Sequence, residues 1–84
     1  MMLTDVTDAL IAEWRGTRYP YKVVAAQIAE WALTQERGTA LPGNEFFAGD
    51  CSIVASASTW NRAKVFLETA GVIYHDDGRP YQVA

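Results

Sequence analysis

The chain has one cysteine, one histidine and three prolines in 84 residues. A lone Cys51 cannot form an internal disulfide, so stability has to come from burial, and an unpaired thiol points to a reducing compartment rather than a secreted framework. Cys51 and His75 together fall short of the roughly four ligands a structural zinc ion needs, so neither a metal nor another cofactor is expected. Neither residue has a triad partner nearby, and no glycine-rich phosphate loop or paired-carboxylate pattern occurs. Asp76 and Asp77 read as turn formers, which leaves no basis for an enzyme. No apolar run reaches the roughly 20 residues a bilayer crossing requires, and the start lacks the basic region and apolar stretch of a signal peptide. A soluble cytoplasmic protein without a membrane partner is the expectation. Basic residues are also few: seven Lys and Arg against ten Asp and Glu give a net charge of −3. That balance weighs against an indiscriminate nucleic-acid binder and leaves room for a local basic patch.

Apolar residues are plentiful. Half the chain is hydrophobic and three residues are tryptophan, enough for one small domain over residues 1–84 with a core of its own. "LTDVTDALIAEW" carries Val6, Leu10, Ile11 and Trp14 at helical spacing behind Thr4 or Asp5 as N-cap, and Gly16 closes it. Pro20 opens a second helix, "YKVVAAQIAEWALTQE", in which Val24, Ile28, Trp31 and Ala32 recur at helical intervals and which Gly38 stops. "TALPGN" predicts a short extended segment and a turn, with Leu41 inward. Asn44 is placed to cap a short helix through Phe46, Phe47 and Ala48, interrupted at Gly49 and Asp50. Ser56 or Ser58 caps the next helix, which runs to Gly71 as a left-handed C-terminal residue. The tail "VIYHDDGRPYQV" predicts two strands around an Asp77-Gly78 turn, with Pro80 limiting the second strand to an edge or its first position.

After the first helix, the order helix, short strand, helix, helix and a closing hairpin is the layout of a winged helix-turn-helix. "YKVVAAQIAEWAL", "LPGNEFFA" and "STWNRAKVFLETAGVI" together resemble the DNA-binding domain of GntR-type bacterial transcription regulators. In that family a Leu-Pro turn precedes the second helix, and a Thr-Val-Arg-x-Ala-x-x-x-Leu-x-x-x-Gly-Leu-Val run forms the recognition helix. Leu41 and Pro42 match the turn. Thr59, Ala63, Leu67, Glu68 and Gly71 match the run, with Trp60 in place of its Val and Val72 and Ile73 in place of Leu-Val. The resemblance covers residues 20–84 and implies an α+β winged helix-turn-helix, a C-terminal β-hairpin wing, and residues 1–15 as an extra N-terminal helix. The chain departs from the family in three ways. The stretch from Pro42 to Thr59 is a residue or two longer, two family arginines are Ala57 and Asn61 here, and the effector-binding domain that usually follows is absent. A small freestanding regulator of this kind, without that domain, suits a phage or mobile element.

A helix over residues 56–70 turns Trp60, Ala63, Leu67 and Ala70 to one side and Ser58, Asn61, Arg62, Val65 and Thr69 to the other. Composition alone favours a solvated face; the layout and the resemblance turn the preference to double-stranded DNA. Arg pairs with guanine, Asn with adenine, and the methyl groups of Val or Thr meet thymine, while Ser58 and Thr59 are placed for phosphate. Arg79 at the hairpin tip is the expected wing contact, opposed by Asp76 and Asp77. Arg15, Arg18 and Lys22 form either a backbone clamp or an ordinary exposed junction. The competing expectation is a winged helix that binds a protein partner through Tyr19, Tyr21, Phe46, Phe47 or Tyr81. The apolar stripe of the first helix calls for cover, supplied by a homodimer through Leu10, Ile11 and Trp14 or equally by its own domain.

Overall fold

In a computed structural model, which describes residues 6–51 and 55–84, Thr7 opens the first helix. Its extended backbone and its hydroxyl, which accepts the Leu10 N–H at 3.2 Å, satisfy one of the donors a helix start leaves unpaired. The expected caps, Thr4 and Asp5, lie outside the described residues. Helix α1 spans Asp8–Arg15 and ends at Gly16. Helix α2 spans Pro20–Ala32, with the proline in the first turn, where its missing N–H costs nothing. Helices α3 (Asn44–Cys51) and α4 (Ala57–Thr69) follow, then strands β1 (Ile73–Tyr74) and β2 (Gln82–Val83). The result is an α+β fold of four helices and a two-stranded antiparallel hairpin, with Ile73 opposite Val83 and Tyr74 opposite Gln82.

Three element ends differ from expectation. Helix α2 stops at Ala32, short of Gly38, because the Thr34 hydroxyl and N–H both take the Trp31 carbonyl, at 2.7 and 3.0 Å, and Gln35 bonds back to Ala32. These three-residue turns tighten the chain out of the α path. Gly38, at φ 88°, then turns it so that its N–H reaches the Val83 carbonyl at 2.8 Å. Asn44 begins α3 instead of capping it from outside, its side-chain oxygen is buried without a hydrogen-bond partner among the described residues, and the helix continues through Gly49 to Cys51. The expected short strand is a single residue, Ala40, bridged antiparallel to Gln82 and flanked by bonds from Val83 to Thr39 and from Leu41 to Tyr81.

Helix α4 is closed at both ends. Ser56 accepts the Thr59 N–H at 3.3 Å. At the other end Val72 bonds Leu67 and Gly71 bonds Glu68, the paired pattern of a Schellman motif, which requires the left-handed φ of 80° that Gly71 provides. The motif sends the chain back along the core, where Val72 and Ile73 are buried.

The core draws on every element. Val24, Ile28 and the alanines Ala25, Ala26, Ala29 and Ala32 of α2 share one buried cluster with Ile11 and Trp14 of α1, Trp60, Ala63 and Leu67 of α4, and Val83 of the hairpin. Ile11 and Trp14 of α1 are 4% and 6% exposed, and Trp14 meets Phe66 of α4 edge to face at 5.0 Å. The stripe of the first helix is therefore covered within the chain, and no second copy is needed to bury it. Phe47 fills the gap between α2, α3 and α4, against Trp31 at 5.6 Å and Trp60 at 6.3 Å. No helix among the described residues is long and apolar enough to cross a membrane.

Candidate functional site

With Trp60, Ala63, Leu67 and Ala70 anchored in the core, helical geometry fixes what α4 presents outward. Ser58, Asn61, Arg62, Val65 and Thr69 are all exposed, and Thr59 is half-buried at the edge of the arc. Val65 is 56% exposed, an apolar side chain held out in water by its position opposite the core. Thr69 donates its hydroxyl proton to the Val65 carbonyl at 3.0 Å, which leaves its methyl group and the lone pairs of its oxygen free for outside contacts.

Arg62 leans towards α2. Its guanidinium carbon lies 4.4 Å from the centre of the Tyr21 ring, a cation–π contact between the two helices. Pro20, Tyr21, Ser58, Thr59 and Arg62 line a shallow depression of about 220 Å³ there. Beside it, Lys22 sits 5.5 Å from the Tyr19 ring and 5.8 Å from that of Phe66, and Arg18 sits 5.7 Å from Tyr19. Phe66 also meets Tyr21 edge to face at 5.8 Å, so the aromatic layer holding these cations is continuous with the core through Trp14.

Three of the other four basic residues are held differently, and the fourth, Arg37, is exposed beyond the end of α2. Arg15 forms an ion pair with Glu30 and leaves the group expected around it. Lys64 turns towards α3. Burial pulls its ammonium below the usual lysine value, and the Glu45 carboxylate works in the opposite sense. Arg79 lies in the loop between the strands, where its N–H donates to the Asp76 carbonyl at 2.9 Å around Gly78 at φ 75°. It shares the exposed tip with Asp76 and Asp77. The Asp77-Gly78 turn is present, at the tip of a loop running from His75 to Tyr81.

The carboxylate of α4, Glu68, is engaged at the base of that loop. His75 Nδ1 lies 2.6 Å from Glu68 Oε2, and the His75 ring packs on Tyr81 at 4.6 Å. Burial, and then the Glu68 charge, push the Tyr81 phenol above its ordinary value. Among the described residues no group of three or more His, Cys, Asp or Glu gathers as a metal site would require.

Of the residues singled out from the sequence, Ser58, Thr59 and Arg62 come together in the depression. Asn61 and Val65 lie on the same helix outside its lining, and Arg79 belongs to a separate part of the surface. Among the aromatic residues expected as protein-binding anchors, Phe47 is corrected to core at 2% exposure, and Tyr21 and Tyr81 are half-buried. Tyr19 and Phe46 remain exposed, at 47% and 44%. Tyr21 as the partner of Arg62 has no signal in the sequence beyond its place next to Pro20, because the contact joins helices far apart in the chain. No protein family, curated protein or solved structure was found that matches this chain.

Proposed function

We propose that the chain is a GntR-like winged helix-turn-helix protein that binds double-stranded DNA, with α4 as the helix that enters the major groove. The observation that carries this reading is the outward arc of α4. It holds donors, an amide and methyl groups, the neighbouring Glu68 is taken up by His75, and the side of α4 that faces α2 meets the cations Arg62, Lys22 and Arg18. Among the described residues none of these three has a carboxylate within ion-pair distance. Three cations thus gather beside one helix of an acidic protein, while Arg37 and Arg79 are exposed elsewhere and Lys64 is half-buried; a local patch of this kind is what a duplex requires. The fold supports the same reading, because Ala40 adds a third extended segment beside the hairpin in the position a winged helix uses. The exposed Asp76 and Asp77 give the wing a secondary part at most.

Asn61 is then the principal base reader, with Val65 and Thr69 offering methyl groups to thymine. Selection from a random duplex pool tests this. Wild type is expected to enrich a short motif, and Asn61→Ala to lose about 1–3 kcal/mol of discrimination at one position while keeping the rest. A pool in which nothing is enriched removes the sequence-reading role.

A second reading, a module that binds another protein, is favoured by one observation. Phe46 of α3 is 44% exposed and stands against Trp31 of α2 at 6.2 Å, and Leu33, just past the end of α2, is 38% exposed. Such residue types anchor interfaces.

A further inference from the structure

Arg62 has one feature that a base-reading arginine does not need. Its guanidinium is stacked 4.4 Å from Tyr21, on the α2 side of the arc, over a depression that it lines with Pro20, Ser58 and Thr59. We infer that Tyr21 positions Arg62 as half of a phosphate seat, completed by a hydroxyl of Ser58 or Thr59, and that Arg62 binds backbone phosphate without reading bases. This rests on the reading of α4 as the DNA-facing helix.

The hydroxyl count supports the seat. Ser56 Oγ accepts the Thr59 N–H at 3.3 Å and lies 3.1 Å from Ser58 Oγ and 3.0 Å from Thr59 Oγ1. A hydroxyl has one proton and two lone pairs. With one lone pair taken by the N–H, Ser56 can accept from one neighbour and donate to the other. The neighbour it donates to keeps its own O–H proton, so at least one of Ser58 and Thr59 has a donor free for a ligand. That donor and the guanidinium line the same depression, and a tetrahedral oxyanion offers acceptors to both at once. The Tyr21 ring holds the guanidinium over the α2 side of α4, and Lys22 adds positive charge on the same aromatic layer. Glu30 is paired with Arg15, and Glu68 holds His75 near the C-terminal end of α4, away from the depression at its start.

The experiment has two arms. In the first, wild type is titrated with inorganic phosphate at constant ionic strength and followed by amide and arginine Nε NMR signals. The Arg62 Nε signal and the amides of Ser58 and Thr59 should shift saturably, and sodium chloride should not reproduce the effect; equal response to chloride overturns the seat. In the second, a labelled random-sequence duplex is titrated with wild type, Tyr21→Phe, Tyr21→Leu and Arg62→Gln. Phe keeps the ring face and should bind like wild type. Leu should weaken binding about two- to fivefold on every sequence, the range of an exposed cation–π contact. Arg62→Gln, an exposed change that leaves the fold alone, should weaken it further without altering the selected motif. Tyr21→Leu binding as well as Tyr21→Phe, or Arg62→Gln changing the preferred base at one position, overturns the inference while the DNA reading stands. Phosphate binding by a protein that ignores the duplex supports the seat and removes the DNA reading instead.

Discussion

Phe47→Ala is expected to lower folding stability by about 3–5 kcal/mol, the range for removing a buried phenyl ring. Phe47 is 2% exposed and touches ring systems on three elements: Trp31 on α2, Phe46 beside it on α3, and Trp60 on α4. The other ties described, Phe46 against Trp31 and the half-buried Ala48, are weaker, so the ring is what chiefly seats α3. A domain of this size has on the order of 4–13 kcal/mol in total, and the loss takes a large share of it. Phe46→Ala is the control, since Phe46 is half in water and should cost far less. Urea denaturation followed by tryptophan fluorescence compares the two. Equal midpoints for the two variants would show that α3 is not held in this way.

Periodicity made much of this core legible. In α2 and α4 the apolar residues repeat at helical spacing over 13 residues each, long enough for the pattern to settle both the element and its inward face. The outward arc of α4 followed by subtraction. Around Asn44 the two adjacent phenylalanines sit on a short helix of eight residues, where spacing cannot decide which ring turns inward. Phe47 is core and Phe46 is surface because of where Trp31 and Trp60 lie, and that is a tertiary fact. The end of α2 was hidden for a local reason, since the Thr34 hydroxyl competes for a carbonyl that a helical pattern would assign to the backbone. In the candidate site, the chemistry of Arg62 was visible in the residue type, but its direction was not. Tyr21 lies forty-one positions away in the numbering, and only the packing of α2 on α4 brings it beneath the guanidinium.

The second large effect concerns charge. Replacing Lys22 and Arg62 together by glutamine should weaken binding to a random duplex about ten- to hundredfold at low salt, from roughly 0.7–1.4 kcal/mol for each cation removed. It should also reduce the slope of log affinity against log salt by about two, because each neutralised phosphate releases close to one counterion. With Arg18, Lys22 and Arg62 as the cations beside the arc, the wild-type slope should be about −3 and that of the variant about −1. Both side chains are carried on the aromatic layer of Tyr19, Tyr21 and Phe66 without packing beneath it, so the thermal midpoint should move little. Fluorescence anisotropy across a salt series measures affinity and slope together. A variant with unchanged slope would place the phosphate contacts elsewhere, with Arg79 the first residue to try.

If the outward face of α4 is the surface that meets DNA, amide chemical-shift mapping of the wild-type protein with a random-sequence duplex should show changes concentrated at Ser58, Asn61, Arg62, Val65 and Thr69 and continuing to Tyr21 and Lys22, with Leu33 and Phe46 silent. A spectrum that the duplex leaves unchanged at low salt, or that changes at Leu33 and Phe46 and not along α4, would contradict it.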